Sequence, residues 1–363
     1  MQVIVDSPET LTTSTSQPKN FLNNIHSLRA LAIFLIVSGH TLGEFPWRDL
    51  EPLMWMLDIL ENGTIIFVFV AGYLFHHLHH RFQFKIYIQK KCTSVILPYL
   101  IVSLPAIFLA TKNNHAEQIY SQLAGHSLFY QYAWFYIKGG AHLNYALWFI
   151  PMIAIFYLAA PLFMHFIKCP RYYYLIIPFT MLSLLIKRTT FPNLNTFHLA
   201  IYTLPAYLLG MWCSQFGEQA FKKFEAKPLL NWFLIVGVWV SPLMIDSYTG
   251  NYVESGYLTF DSGLIDWLFA QKLILAVLLT IAFKHLPNQM HRLVAPLAET
   301  SFAIFFVHLY WLLVLDRLLA PYQLEASIFL WFIFSVIILG LSHLIALSFR
   351  FVFKERSKYL IAY

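Results

Sequence analysis

Long apolar stretches recur along the chain at the length that a membrane-spanning helix requires. Such a helix needs about 20 mostly apolar residues, because the hydrocarbon core of a bilayer is about 30 Å thick. Short polar or charged segments separate the stretches. The pattern predicts an all-α, polytopic integral membrane protein with about ten transmembrane helices, at 27–43, 53–75, 93–111, 144–166, 172–188, 196–216, 229–246, 264–283, 293–315 and 327–351.

The composition supports this prediction and excludes other classes of protein. Of the 363 residues, 59% are hydrophobic and only 12% are charged, and the mean hydropathy is +0.61. A soluble domain carries about 25% charged residues, so this chain cannot cover its surface with solvated groups. A soluble globular enzyme, a disordered regulator and a disulfide-stapled secreted domain are therefore excluded, and the lipid bilayer is an expected partner.

The apolar pattern divides the chain into a tail and one membrane domain. The first 24 residues are polar and rich in Ser and Thr, which predicts a mobile cytosolic tail at 1–24. Residues 25–363 are predicted to form a single ten-helix domain. Within it, the aromatic segment 126–138 has no clear span and is predicted to be an interfacial helix, because Trp and Tyr favour the headgroup level.

The distribution of positive charge predicts the orientation. The net charge is +6, and most of the 24 Lys and Arg residues fall on one side if the N-terminus is cytosolic. Cytosolic loops of membrane proteins carry such an excess, so we expect cytosolic N- and C-termini in a multi-pass protein of the plasma or inner membrane. Because the orientation accounts for the excess of positive charge, no nucleic acid is expected as a partner.

Arg29 and His40 are the first charged or titratable residues placed where lipid disfavours them. They are eleven residues apart, so on a helix they share one face, with His40 about 16 Å deeper in the membrane. Arg29 could be an edge residue whose side chain reaches the headgroups, and His40 could make an interhelical hydrogen bond. An imidazole is also the side chain most suited to moving a proton near neutral pH.

Other charged residues also fall within the predicted spans. Asp58 and Glu61 share one face of the second span, where they could bind sugar hydroxyls or belong to an outer loop end. Lys272 lies near the middle of the eighth span and Glu299 in the ninth. The simplest interpretation of Lys272 is an ion pair inside the bundle, with Glu61 or Glu299 as its partner.

Six sequence segments, in order, resemble those of the acyltransferase-3 family of integral membrane acyltransferases. The resemblance covers residues 25–363 and includes the Arg, ten residues, then His of the first span. Two departures are His26, where the family usually has an acid, and Val95, where it usually has a second Arg. The segments are IHSLRALAIFLIVSGH (25–40), VFVAGYLF (68–75), QKKCTSVILPYL (89–100), LWFIPMIAIFYLAAPLF (147–163), YLLGMW (207–212) and SFAIFFVHL (301–309).

The resemblance implies an enzyme that moves an acyl group, commonly acetyl and sometimes succinyl, from cytosolic acyl-CoA to hydroxyls of a cell-surface or exported polysaccharide. It implies that Arg29 orients the donor and that His40 is a general base or an acyl relay. Trp148, Ser301 and His308 match family segments and are predicted to bind substrate, together with Asp58, Glu61, Lys272 and Glu299. Acetyl-CoA is the expected co-substrate, and no metal is expected.

A basic segment is predicted to bind the CoA phosphates. Residues 76–92 form a predicted cytosolic loop with four cations, although plain positive-inside topology also explains them. The cations are Arg81, Lys85, Lys90 and Lys91. The same segment contains His76, His77, His79 and His80, but no Cys or acid that would complete a metal site lies near them in sequence.

Two other functions fit the same ten spans. A polysaccharide exporter would use intramembrane carboxylates and aromatic rings, although no internal repeat is apparent. A non-catalytic subunit of a glycan synthase would use its charged residues at interfaces. In either case a polysaccharide synthase or export machinery would be a partner.

Overall fold

The computed structural model describes residues 23–44, 59–112, 120, 123–139, 146–190, 193–244, 252–253, 265–322 and 327–363. Five helices in these ranges are long and apolar enough to cross a membrane, and a sixth span is added if one bent helix pair counts as a single span. The predicted fold class, an all-α membrane protein, is therefore confirmed. The predicted number of ten transmembrane helices remains a prediction.

Fifteen α-helices make up most of the described chain, and they are numbered here in order. They are α1 (Asn23–Glu44), α2 (Gly63–His77), α3 (Phe84–Lys91), α4 (Leu97–Lys112), α5 (Leu128–Lys138), α6 (Phe149–Leu158), α7 (Ala160–Lys168), α8 (Ile176–Ile186), α9 (Thr196–Ala220), α10 (Lys222–Glu225), α11 (Pro228–Val240), α12 (Trp267–Ala282), α13 (Asn288–Leu319), α14 (Ile328–Phe353) and α15 (Ser357–Ile361). Two-residue strands β1 (Arg188–Thr189) and β2 (Tyr252–Val253) pair in parallel.

The long apolar helices match the first, third, eighth, ninth and tenth predicted spans. The third differs at its start, because a π-helical turn at Cys92–Ile96 joins α3 to α4 and extends one helix over Phe84–Lys112. Much of the predicted basic loop is therefore helical. A helix is present at the segment predicted to be interfacial, as α5, and its position at the membrane interface remains a prediction.

The sixth predicted span is present as the 25-residue α9, whereas the second, fourth and fifth are shorter or broken. The second begins as α2 at Gly63, after Asn62 takes a left-handed backbone with φ 60°. The fourth is α6 and α7, which meet at a bend of 56° beside Ala159. Pro161 in the first turn of α7 favours the break, because proline lacks the backbone N–H that a continuous helix would use there and its ring crowds the preceding turn. The fifth is the eleven-residue α8, preceded by a 3₁₀ segment at Pro170–Leu175.

Helix α1 lies at the centre of the bundle. It packs against α2, α12, α13 and α14, and its apolar residues Leu28, Ile33 and Val37 are fully buried. Around this centre, α9 packs on α2 and α8, while α11 packs on α12. A residue on α1 is thus surrounded by protein on most sides, which makes this helix the natural carrier of an internal site.

Helices α2 and α9 approach each other so closely that two glycines are required. A Cβ atom added to Gly72 on α2 would collide with the backbone carbonyl of Tyr207 on α9. One added to Gly210 on α9 would collide with the carbonyl of Phe69 on α2. Small residues allow such contact between membrane helices, whose association depends on packing.

We expect Gly72→Ala and Gly210→Ala each to destabilise the protein by about 1–3 kcal/mol, because the added methyl forces the helices apart. The measurement is the apparent Tm in detergent. The matched control is Gly237→Ala on α11, where an added Cβ meets nothing within 4 Å. An equal fall in Tm for all three variants would contradict the close-approach explanation.

Candidate active site

Arg29 and His40, both on α1, contact the same neighbouring helix, α13. The Arg29 Nε donates to the Ser301 hydroxyl over 2.6 Å, and its guanidinium lies 5.6 Å from the centre of the Phe302 ring. The Ser301 hydroxyl itself donates to the Ala298 carbonyl over 2.8 Å, so a lone pair is left for Arg29. These contacts hold the guanidinium in place with hydroxyl and ring partners.

Lys91, at the end of α3, supplies a second positive charge next to Arg29. Its Nζ lies 4.9 Å from the centre of the Tyr157 ring and 5.6 Å from that of Tyr87. Lys91 and Arg29 are close enough to repel each other electrostatically. Within the described ranges, neither forms a salt bridge with a carboxylate, although Glu299 acts on Arg29 at longer range. The two cations therefore form a positively charged site with little internal compensation.

The other predicted donor-binding cations lie apart from this site. Arg81, Lys85 and Lys90 are exposed, on a 3₁₀ turn and on α3, and Arg81 contacts only the neighbouring His80 ring among the hydrogen bonds described. Of the four predicted cations, the structure brings only Lys91 next to Arg29. The tyrosines that hold Lys91 come from α3 and α6, and sequence analysis did not identify them.

His40 lies next to a second imidazole, His308 of α13. The two ring centres are 5.4 Å apart with an angle of 36° between the ring planes. His308 is fully buried, and its Nδ1 is 3.1 Å from the Ile304 carbonyl and 2.9 Å from the Phe305 carbonyl. Since carbonyls only accept hydrogen bonds, Nδ1 must carry the proton. The His308 Nε2 then holds a lone pair, and it has no hydrogen-bond partner among the residues that the structure describes.

Arg188, the last residue of the fifth predicted span and not among the predicted site residues, lies near this imidazole pair. It acts electrostatically on His40, and its guanidinium lies 5.1 Å from the centre of the Trp148 ring. Its Nη1 also donates to the Asn62 side-chain oxygen over 3.0 Å. Trp148 itself is only 4% exposed, so Arg188 covers one of its faces. In the sequence, the feature that could have identified Arg188 is its position as a basic residue at the end of a predicted span.

A chain of hydrogen bonds leads from Asn62 through Tyr202 to the carboxylate of Asp266. The Asn62 amide lies 3.5 Å from the Tyr202 hydroxyl, which donates to Asp266 over 2.8 Å. The other Asp266 oxygen accepts from the Phe269 backbone N–H and caps α12. These groups, from α9, α12 and the turn before α2, fix the end of the bundle beyond His40.

Lys272 donates to two neutral oxygens, one of which belongs to the turn before α2. Its Nζ donates to the Ile59 carbonyl over 2.8 Å and to the Gln271 side-chain oxygen. Trp239 of α11 donates to the same Ile59 carbonyl over 3.3 Å. Lys272 therefore anchors the turn that contains Glu61, whereas the predicted site residue Asp58 lies outside the described residues. Glu299 is exposed on α13.

The histidine-rich segment contacts α9 and its own backbone. The His76 Nδ1 lies 2.9 Å from the Ser214 hydroxyl, and the His79 Nδ1 donates to the His76 carbonyl over 2.6 Å. In the part of the chain that the structure describes, no group of three or more His, Cys, Asp or Glu side chains has the geometry of a metal site.

The site therefore has two levels on one helix face. Arg29 and Lys91 form the first, at the end of the bundle where α1 begins, and His40 with His308 forms the second. Eleven residues of helix separate Arg29 from His40, which is about 16 Å along the axis. Such an arrangement can hold an anion at one level and transfer a proton at the other.

Comparison with known proteins gives the family. No curated protein and no solved structure matches the chain significantly. The acyltransferase-3 family model, described as an acyltransferase domain, matches residues 22–347, and this range contains Arg29, Lys91, His40 and His308. The chain therefore belongs to the acyltransferase-3 family of membrane acyltransferases.

Proposed function

We propose that this acyltransferase moves an acetyl or succinyl group from cytosolic acyl-CoA to a hydroxyl of a cell-surface or exported polysaccharide. The observation that carries the proposal is the two-level site, with two weakly compensated cations about 16 Å from an imidazole pair on one face of α1. The family membership supports the acyltransferase activity, and the residues suggest the donor and the acceptor.

The cation pair suits a donor that carries several phosphates on a long arm. Arg29 presents a planar fork whose remaining N–H groups can donate to phosphate oxygens, and Lys91 adds a point charge beside it. Because the two cations repel each other, an anion bound between them relieves that repulsion. The extended pantetheine arm of CoA has a length comparable to the separation of the two levels, so phosphates at Arg29 place the thioester near His40.

The imidazole pair suits proton transfer from an attacking hydroxyl. In the proposed step, His40 takes the proton of a sugar hydroxyl, the oxygen bonds to the acyl carbon, the C–S bond breaks, and the proton passes to the departing thiolate. While His40 is charged, a rotation of its ring brings an N–H to the unpartnered His308 Nε2, whose lone pair stabilises the imidazolium. Arg188, Trp148 and Asn62 then border the acceptor side.

One reconstitution experiment tests the proposed function. The protein is placed in proteoliposomes with labelled acetyl-CoA or succinyl-CoA on one side and a purified surface polysaccharide on the other. Label in the polysaccharide as an ester supports the proposal. Movement of unmodified polysaccharide across the bilayer would indicate an exporter, and absence of both would indicate a non-catalytic subunit, and either result would contradict the proposal.

We expect His40→Gln to lower kcat for acyl transfer by about 10²- to 10⁴-fold, because the variant lacks a general base. The measurement is ester formation in proteoliposomes at saturating donor. The matched control is His343→Gln on α14. This variant removes an imidazole whose Nδ1 lies 2.9 Å from the Thr300 hydroxyl and which is not part of the His40–His308 pair. Wild-type kcat for His40→Gln, in correctly folded protein, would exclude the proposed role.

We expect the effects of His40→Gln and His308→Gln on kcat to be strongly non-additive, since His308 acts through His40. His308→Gln alone should lower kcat by about tenfold, and the double variant should be no slower than His40→Gln. The measurement is kcat of the wild type, the two single variants and the double variant, which together form a double-mutant cycle. If the losses simply multiply, the two imidazoles act independently and this part of the mechanism is wrong.

We expect Lys91→Gln to raise KM for acyl-CoA by about tenfold with little change in kcat, because a charge-assisted contact to phosphate is worth about 1.5 kcal/mol or more. The matched control is Lys90→Gln, which removes the same charge from the adjacent, exposed position. The defect of Lys91→Gln should shrink at high salt, where electrostatic capture is screened. Equal KM values for the two variants would show that only the net charge of the segment matters.

A further inference from the structure

An apolar groove lies between the bent helix pair α6–α7 and helices α8 and α9, away from the two-level site. Its volume is about 480 Å³. Almost all of its lining is apolar, and its walls include Phe156, Phe163, Phe179 and Leu204. The bend of 56° at Ala159 opens the groove, because α7 turns away from the line of α6.

The wall that α9 gives to the groove is about as long as one lipid acyl chain. Its lining residues on α9 extend from Phe197 to Leu208, which is eleven residues or about 16 Å along the axis. The hydrocarbon core is about 30 Å thick, so this length is about half of it. A lipid acyl chain fits such a wall, whereas a peptide would leave its backbone polar groups without partners there.

One end of the groove is positively charged. His165 and Tyr172 line it, with ring centres 5.4 Å apart, and the Arg171 guanidinium lies 5.5 Å from the centre of the Tyr172 ring. Lys168 ends α7 beside them, and His165, Lys168 and Arg171 are all exposed. Next in the chain, Tyr173 donates to the Gln215 side-chain oxygen over 3.1 Å. This contact places the charged end beyond Leu208.

No acidic residue of the surrounding elements compensates this charge. The sequence has no Asp or Glu from position 118 to position 217, a range that contains all of α6, α7 and α8 and most of α9. The next acid on α9, Glu218, lines a separate cavity on the side of α12. An anionic group at Lys168 and Arg171 would therefore meet no acid of α6, α7 or α8.

We propose that this groove is a binding site for an anionic phospholipid, with one acyl chain along α9 and the headgroup phosphate at Lys168 and Arg171. The apolar walls exclude polar occupants, the length of the α9 wall fits one acyl chain, and the cations select a negative headgroup. The predicted orientation puts the charged end in the cytosolic leaflet, where anionic lipids are concentrated. The site goes beyond the proposed acyl transfer and does not depend on it.

Lipid retention by the purified full-length chain tests the proposal. Delipidated protein in detergent is titrated with phosphatidylglycerol and with phosphatidylcholine of identical chains, and native mass spectrometry counts the bound lipids. We expect one tightly retained phosphatidylglycerol, with phosphatidylcholine about tenfold weaker. The double variant K168Q/R171Q should lose this preference, since each cation near a headgroup contributes about 1 kcal/mol.

Three further measurements complete the lipid-binding test. Lys222 and Lys223, exposed on α10, provide the charge-matched control K222Q/K223Q, which should keep the preference. Leu162→Trp, at a half-exposed groove wall, should weaken both lipids by filling the groove. Glycerol 1-phosphate in excess should not displace the lipid. Unchanged preference in K168Q/R171Q, unchanged retention in Leu162→Trp, or displacement by glycerol 1-phosphate would each overturn the proposal.

Discussion

The pairing of α1 with α13 is the interaction on which the candidate site depends. Polar groups inside a membrane bundle are costly unless each finds a partner, and α13 supplies partners to α1 at three successive levels. Ser27 bonds to His291 over 2.7 Å, Arg29 to Ser301 over 2.6 Å, and His40 lies beside His308. The two helices run in the same direction, so the same register that satisfies Arg29 also brings the imidazoles together.

The rest of the bundle keeps this register. On α14, Trp331 donates from its indole N–H to the Ser38 carbonyl over 2.9 Å, and on α12 the Thr280 carbonyl accepts from Asn24 over 3.1 Å. Behind α1, the close contact of α2 and α9 at Gly72 and Gly210 fixes the second wall. Movement of α1 along its axis would therefore break contacts to several helices at once. A site that must hold two reactants at fixed separation benefits from such a support.

The features that depend on helix geometry alone were predictable from the sequence. Arg29 and His40 share a face because the helical repeat requires it, and both indeed contact α13. Whether Lys90 or Lys91 faces the site depends on where the rings of Tyr87 and Tyr157 lie, and Tyr157 belongs to another helix. The break at Ala159 was also missed, because hydropathy measures apolar length and does not register that Pro161 interrupts the helix.

The cations of the described chain differ in what compensates them, and at the two proposed sites this difference favours the binding of an anion. Lys272 donates to two protein oxygens and Lys284 pairs with Glu225 over 3.2 Å, so the protein already satisfies both. Arg29 and Lys91 rest against a hydroxyl and aromatic rings, and Arg171 against a ring alone among its described contacts. Ring faces stabilise a cation by about 0.5–2 kcal/mol and leave its charge exposed to an incoming anion. At one place that anion would reach an imidazole pair, and at the other it would meet an apolar groove, which is why we assign the first to a reacting donor and the second to a resident lipid.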